Sequence, residues 1–277
     1  MGGIGEKLRL GSLELPKLER FSFSDQNLDR VVNRASQFGV IRSLLESIPW
    51  LESIPDLWLH ISVVGLSLGA IVLLAETIHR RVPANSELSR KIVHISTGNV
   101  ILLAWWLQFP TWVGIAASIL ASLITLLSYY IPILPGINSV GRKSMGTFFY
   151  AVSVGVLTAW FWPLKQFQYA AIGILVMAWG DGFAGLIGQK FGQHRYEVWG
   201  MKKSWEGTLT MALISYAVSS LILFSVQGNI WQTWVVPAAI AFIATVLEAF
   251  SKLGIDNLTV PLGSAAAGFF LNQLLCN

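Results

Sequence analysis

Long apolar runs separated by short polar segments dominate the chain after residue 56. A helix of roughly 20 apolar residues is long enough to cross the hydrocarbon core of a bilayer. The pattern therefore predicts an all-α, polytopic integral membrane bundle of about seven or eight transmembrane helices. The predicted spans are approximately residues 57–78, a second run that ends at 106, 112–131, 148–162, 169–187, 208–226, 234–250 and 258–275. We expect the last span to be broken at Pro261, Gly263 and Gly268.

The first 56 residues have a different pattern. Residues 1–24 are polar, lack the basic-then-apolar pattern of a secretory signal, and are expected to be poorly ordered. Residues 26–48 carry apolar side chains at helical spacing, which predicts an amphipathic helix on the bilayer or a solvated helix packed on a neighbour. We therefore divide the chain into an N-terminal polar or amphipathic segment, 1–56, and a transmembrane domain, 57–277.

Composition and charge agree with a membrane protein. Charged residues make up 12% of the chain, whereas a soluble domain carries about 25%. The single cysteine, Cys276, excludes an internal disulfide and a cysteine-based zinc site. Basic residues gather after the first, third, fifth and seventh predicted spans, while the intervening turns carry only Lys165. This alternation obeys the positive-inside rule and places the charged loops in the cytoplasm or its organellar equivalent.

The stretch 179–207 contains the strongest candidate chemistry. Asp181 lies at the end of an apolar run, where a carboxylate is costly and is therefore usually functional. Gly182, Gly185 and Gly188 recur every three residues and leave a bare helix face for a nucleotide or for a neighbouring helix. A carboxylate in this position suits Mg²⁺, which is usually held by one or two carboxylates and by substrate phosphates.

Basic residues in two earlier segments are candidates for phosphate binding. Arg90, Lys91 and His94 share one face of a predicted helix, as a polyphosphate clamp or as a topology signal. Arg142 offers a planar guanidinium to phosphate, or belongs to an ordinary basic loop.

The start of the sixth predicted span offers a second phosphate site. Lys202 and Lys203 precede Ser204, a predicted N-cap, and the helix that begins there presents free N–H groups. Glu206 in its first turn is a metal ligand, a base, or a residue favoured by the helix dipole. Asp256 adds a carboxylate on the same charged face, beside either a cavity or an ordinary loop.

These blocks, in this order, resemble the polyprenol, phytol and dolichol kinase family, which is related to the phosphatidate cytidylyltransferases. The resemblance covers about residues 86–263 and is greatest to the phytol and farnesol kinase branch. The matching blocks are Arg90-Lys91-x-x-His94, Arg142-x-Ser144-x-Gly146-Thr147, Gly180-Asp181-Gly182 with Gly188 and Gly192, Lys203-Ser204-x-Glu206-Gly207, and residues 254–261.

The resemblance implies CTP-dependent phosphorylation of the primary hydroxyl of an isoprenoid alcohol. It links Arg90, Lys91, Asp181, Gly188 and Lys203 to CTP use and, through the cytidylyltransferases, implies that Asp181 and Asp256 bind Mg²⁺. Residues and resemblance together give catalytic candidates Asp181, Lys203 and Glu206, nucleotide- or phosphate-binding candidates Arg90, Lys91, His94, Arg142, Gly182, Gly188, Lys202 and Ser204, and metal ligands Asp181 and Asp256.

Three alternatives share parts of this pattern. A cytidylyltransferase that forms a CDP-lipid differs in which phosphorus is attacked, and a diacylglycerol kinase differs in its acceptor. A transporter with Asp181 as an ion site predicts charges on both membrane faces. The expected partners are membrane lipids, an isoprenoid alcohol and a nucleoside triphosphate, with no nucleic acid. The expected location is a bacterial plasma membrane, a thylakoid membrane or an organellar membrane, and the sequence specifies no oligomeric state.

Overall fold

The computed structural model describes residues 56–81, 86–130 and 145–276. The predicted N-terminal segment and Arg142 lie outside these ranges, so the predictions for them remain predictions. The elements of the described residues are α1 (Asp56–Arg81), α2 (Ser86–Gly98), α3 (Val100–Trp106), α4 (Thr111–Tyr130), α5 (Gly146–Phe161), α6 (Phe167–Leu175), a π-helical segment (Val176–Asp181), α7 (Gly182–Phe191), β1 (Arg195–Val198), β2 (Met201–Ser204), α8 (Trp205–Gln227), α9 (Gln232–Ala249) and α10 (Asp256–Cys276).

The predicted all-α membrane architecture is confirmed, but the predicted count of seven or eight spans is not. Five helical stretches in the described ranges are long and apolar enough to cross a membrane, and they are Thr111–Ser128, Phe167–Phe191, Trp205–Gln227, Gln232–Ala249 and Asp256–Leu275. Two apolar helices are shorter, Leu57–Ile71 and Gly146–Phe161.

The second predicted span is divided at Asn99 into α2 and α3, of 13 and 7 residues. The Asn99 side-chain amide donates to the Ile95 carbonyl oxygen at 2.9 Å, and the Asn99 backbone N–H bonds to Ser96 instead. Asparagine side chains compete in this way with helical backbone hydrogen bonds. The amide therefore ends α2, although the surrounding sequence remains apolar.

The core surrounds α6, which packs against α5, α8 and α10. Its sequence, FQYAAIGIL, is apolar on every face, and all its residues from Tyr169 to Leu175 are buried. A helix that is hydrophobic all round belongs at the centre of a bundle. The chain continues from this central helix through the π-helical segment to Asp181, so the core fixes the position of that carboxylate.

The predicted break in the last span is wrong, because α10 continues through Pro261. Helices in membranes tolerate proline where neighbouring groups satisfy the freed backbone. Gly263 and Gly268 do not break the helix; they allow α10 to pack closely against α9. A Cβ on Gly268 would lie 3.1 Å from Ile240 of α9, so the missing side chain lets the two helices approach.

A short antiparallel hairpin, which the sequence pattern does not predict, lies between the predicted spans 169–187 and 208–226. Arg195 pairs with Ser204, and Val198 pairs with Met201. Trp199 and Gly200 form the turn with φ angles of 50° and 78°. Left-handed conformations at both central residues are typical of the tight turns that join two twisted strands. The hairpin places its basic residues between α7 and α8.

Candidate active site

A cavity of about 810 Å³ lies where the π-helical segment, α7, the hairpin and the ends of α8, α9 and α10 meet. This volume falls in the range of roughly 300–1,000 Å³ that small-molecule sites occupy. Its charged lining residues are Lys91, Asp181, Arg195, Lys202, Lys203, Glu248, Lys252 and Asp256. The fold thus brings together residues from four of the separate sequence blocks.

Asp181 ends the π-helical segment and is held by Lys91 from α2. The Lys91 ammonium donates to Asp181 Oδ2 at 2.6 Å and to the Asp181 backbone oxygen at 3.0 Å. Lys91 is only 5% exposed. A lysine so deeply buried needs a charged partner, and π-helical turns recur at functional sites. The predicted association of these two residues with one site agrees with this geometry.

Lys203 on β2 forms a second ion pair, with Glu248 near the end of α9. Its ammonium donates to Glu248 Oε1 at 2.6 Å and also to the Glu248 backbone oxygen. Glu248 is not among the site residues predicted from the sequence. An acidic side chain at the end of an apolar run, the same signal that identified Asp181, would have found it.

Asp256 begins α10 beside the second ion pair. Its backbone N–H donates to Ser251 Oγ at 2.6 Å, and its Oδ1 accepts from the backbone N–H of Asn257 at 3.1 Å. Asp181, Glu248 and Asp256 all line the charged cavity.

The charges of the cavity are sorted by depth. The buried or half-buried charges form what we call the inner charge cluster, consisting of Lys91, Lys203, Asp181, Glu248 and Asp256. The exposed charges form the outer basic group, consisting of Arg195, Lys202 and Lys252. A polyphosphate entering the cavity meets three cations first and a mixed group of charges behind them.

The N-terminus of α8 reaches the cavity through a confirmed N-cap. Ser204 Oγ accepts a hydrogen bond from the Gly207 N–H at 3.2 Å. A Cβ on Gly188 would lie 2.8 Å from Ser204 Oγ, and one on Gly185 would lie 2.9 Å from Lys91 Nζ. These glycines line the cavity and let α7 pack closely. Gly182 does not line it, because this glycine packs against Ile95 of α2.

Glu206 does not line the cavity, so its geometry does not support the expected catalytic role. Its Oε1 accepts from the backbone N–H groups of Gln193 and His194 at 3.2 and 3.1 Å, and lies 2.8 Å from His194 Nδ1. The carboxylate therefore fastens the loop that enters β1. A first-turn glutamate is favoured by the helix dipole alone, which is why the sequence could not separate these roles.

His94 does not line the charged cavity to which the sequence assigned it. Its ring packs on Tyr150 with a centroid distance of 4.6 Å. Both residues line a second, mainly apolar cavity of about 360 Å³, bordered chiefly by residues of α1 to α5. Asn257 lines this cavity as well as the charged one. The backbone of Arg90 belongs to α2, and its side chain is outside the described structure.

The donor set of the charged cavity fits Mg²⁺ when substrate phosphates complete the coordination. Asp181 and Asp256 supply carboxylate oxygens, the ligands that this ion prefers. Over the described ranges, no group of three or more His, Cys, Asp or Glu side chains is arranged to hold a metal ion. An ion here would therefore depend on its nucleotide for further ligands.

Known proteins similar to this chain come from cyanobacteria and plants. A phytol kinase from Synechocystis sp. is 52% identical over 209 residues, which cover 76% of this chain and 90% of that protein. Phytol kinase 1, chloroplastic, from Arabidopsis thaliana is 28% identical over 261 residues, or 85% of this chain and 83% of the relative. No family model and no solved structure matches the chain. By its similarity to the cyanobacterial enzyme, the chain belongs to the phytol kinase family.

Proposed function

We propose that this protein transfers the γ-phosphoryl group of CTP to the hydroxyl of phytol or a similar isoprenoid alcohol, with Mg²⁺ as the cation. The observation that carries the proposal is the shared cavity, where the Asp181–Lys91 pair, Lys203 and Asp256 face the capped start of α8. Family membership supports phytol as the acceptor. The resemblance at Lys91 and Lys203 to CTP-dependent kinases supports CTP.

The reaction requires little covalent chemistry from the protein. The alcohol oxygen forms a bond to the γ-phosphorus while the bond from that phosphorus to the β–γ bridging oxygen breaks, and CDP leaves. Most of the rate enhancement comes from positioning and charge neutralisation. The outer basic group holds the entering phosphates, and Lys91 and Lys203 stabilise the charge that develops on the transferred group and on CDP. Bound Mg²⁺ supplies further neutralisation.

The proton of the alcohol needs an acceptor near the attacking oxygen. Asp256 is better placed than Glu206, because Asp256 lines the charged cavity and Glu206 does not. Asp256 also adjoins Asn257, which lines both the charged and the apolar cavities. We assign the proton to Asp256 and the cation chiefly to Asp181. Because both carboxylates line the same cavity, Asp256 can also contribute to the cation site.

Two other lipid reactions fit the same nucleotide cavity. In a cytidylyltransferase the lipid phosphate attacks the α-phosphorus and diphosphate leaves, and in a diacylglycerol kinase only the acceptor changes. Family membership favours the prenyl alcohol kinase over both.

The proposal is tested with purified protein in detergent micelles, Mg²⁺, phytol and CTP labelled at the γ-phosphate. We expect label in the organic phase, CDP as the second product, and no transfer by Asp181→Asn. Unlabelled ATP and GTP in excess should compete poorly. Release of labelled diphosphate with phosphatidic acid, and no labelled phytol, would reassign the protein to the cytidylyltransferases. If diacylglycerol is offered and labelled phosphatidic acid forms, while phytol gives no labelled phytyl phosphate, the acceptor is diacylglycerol and not phytol.

A further inference from the structure

The apolar cavity is built as a groove for a long, flexible hydrocarbon. Most of its lining comes from α1 to α5, with single residues from α6 and α10, and it includes small residues such as Ala117, Ala121 and Gly114 on α4. Some of the hydroxyl groups in its lining are already bonded within their own helices. Thr97 and Ser118 each bond to a carbonyl oxygen of their own helix at 2.9 Å. The surface that remains is suited to methyl and methylene groups.

Tyr150 adds an unbonded polar group to this lining. Its hydroxyl oxygen is buried and has no hydrogen-bond partner among the residues that the structure describes. A buried hydroxyl left unbonded is costly, so its presence calls for a ligand or a water. The ring is fixed against His94, and a Cβ added to Gly98 would lie 3.3 Å from the hydroxyl. The hydroxyl is thus held at one place in the groove wall.

The groove and the charged cavity share one residue, Asn257. Its side-chain amide donates to Asp256 Oδ1 at 3.2 Å and to the Gly254 carbonyl oxygen at 3.3 Å. A ligand with an apolar chain in the groove would therefore place its head group beside Asp256.

We propose that this groove binds the prenyl chain of the alcohol substrate, with the Tyr150 hydroxyl and Asn257 orienting the substrate hydroxyl at the junction of the two cavities. The proposal rests on the proposed function for the identity of the ligand. Tyr150 bonds to the alcohol oxygen, and the hydrocarbon chain extends between α2, α4 and α5. Chain-length preference is then set by the groove and not by the charged cavity.

Two neighbouring alanines on α4 give a matched test. Ala117 lines the groove, whereas Ala116 does not, and both are exposed, so a larger side chain at either position meets no packed core. We would compare Ala117→Phe, Ala116→Phe and Tyr150→Phe by two measurements. The first is crosslinking of a photoactivatable phytol analogue without nucleotide. The second is kcat/KM for phytol relative to a short, water-soluble prenol.

We expect crosslinks on α2, α4 or α5 that unlabelled phytol competes away and that Ala117→Phe abolishes. Ala117→Phe should lower the ratio of kcat/KM for phytol to that for the short prenol by at least about tenfold, because the long chain no longer fits. Ala116→Phe should leave both measurements unchanged. Tyr150→Phe should lower kcat with both alcohols and leave the melting temperature unchanged.

Equal effects of the two alanine variants would overturn the proposal. Crosslinks confined to other helices, or competed by phospholipid but not by phytol, would also overturn it. If the native protein nevertheless transfers phosphate to phytol, the groove proposal is wrong and the proposed function still holds. If the native protein transfers no phosphoryl group but still shows phytol-competed crosslinks lost in Ala117→Phe, the groove stands and the proposed function fails.

Discussion

Lys91 and Asp181 illustrate how a single buried pair links stability to chemistry. Each residue is costly alone inside the bundle, and each neutralises the other in the absence of a ligand. Under the proposed function, the same ammonium would bind a phosphate oxygen of the nucleotide. Variants of this pair can then separate an effect on folding from an effect on phosphoryl transfer.

The first prediction concerns Asp181→Asn, which leaves the Lys91 charge buried without its partner. We expect the free energy of unfolding to fall by about 3 kcal/mol and kcat to fall at least about 10²-fold. The double variant Lys91→Met/Asp181→Asn should recover most of the stability and none of the activity. Denaturation in detergent and phosphoryl transfer measure the two effects. Recovery of activity in the double variant would contradict a role of Asp181 and Lys91 in phosphoryl transfer.

The second prediction compares two carboxylates. Asp256→Asn should lower kcat by about 10²-fold or more, because the alcohol loses its proton acceptor. Glu206→Gln should keep kcat near that of the native protein and lower the melting temperature, because Glu206 binds only the loop before β1. Steady-state kinetics and thermal unfolding of both variants decide this. A loss of kcat in Glu206→Gln as large as that in Asp256→Asn would show that Glu206 takes part in catalysis.

At the scale of the element, the hairpin carries Arg195, Lys202 and Lys203 to the cavity. Its turn is anchored by Trp199, whose ring lies 5.7 Å from that of Phe250 at the end of α9. The hairpin is thus fastened to the helix that supplies Glu248. This ring contact adds to the Lys203–Glu248 ion pair in fixing the hairpin, which needs such contacts because an isolated two-stranded hairpin is only marginally stable.

The third prediction follows from this anchor. Trp199→Ala should raise the KM for the nucleotide about 2- to 10-fold, which is the equivalent of losing one aromatic pair. The control is Trp231→Ala, which changes another exposed tryptophan away from the cavity and should leave this KM unchanged. Nucleotide titration at saturating phytol provides the measurement. An unchanged KM in Trp199→Ala would show that the hairpin needs no such anchor.

At the scale of the whole molecule, helix α8 has its ends in two different environments. Its N-terminus lies at the charged cavity, and its C-terminus leads into the uncharged turn 228–231. Because α8 is long and apolar enough to cross a bilayer, the two ends belong on opposite sides of the membrane. The positive-inside rule assigns the cavity side to the cytoplasm or its equivalent.

The fourth prediction tests this orientation. In a Cys276→Ser background, Gln193→Cys should react with a membrane-impermeant maleimide only from the cavity side. Ile230→Cys should react only from the other side. Sealed vesicles of both orientations provide the measurement, and detergent-solubilised protein, in which both sites react, is the control. Labelling of both positions from one side would refute the proposed span.

The membrane class and the N-cap at Ser204 could be predicted from the sequence, because each rests on a local pattern of residue types. The pairing of Lys203 with Glu248 could not be predicted, since the partners are 45 residues apart in the sequence, with α8 between them. The division of the second span into α2 and α3 could not be predicted either. The span stays apolar on both sides of Asn99, and the side-chain bond of Asn99 to Ile95 appears only in the structure.

The inner charge cluster has a consequence for which form of nucleotide the protein accepts. With all five of its side chains ionised, the inner charge cluster has two ammonium groups against three carboxylates, whereas the outer basic group adds three cations and makes the cavity positive overall. The outer group would attract a triphosphate, and the inner cluster would favour one that carries its own divalent counter-ion. The saturating species should therefore be the preformed metal–nucleotide complex. Flux through the enzyme would then follow the supply of free magnesium as closely as the supply of nucleotide.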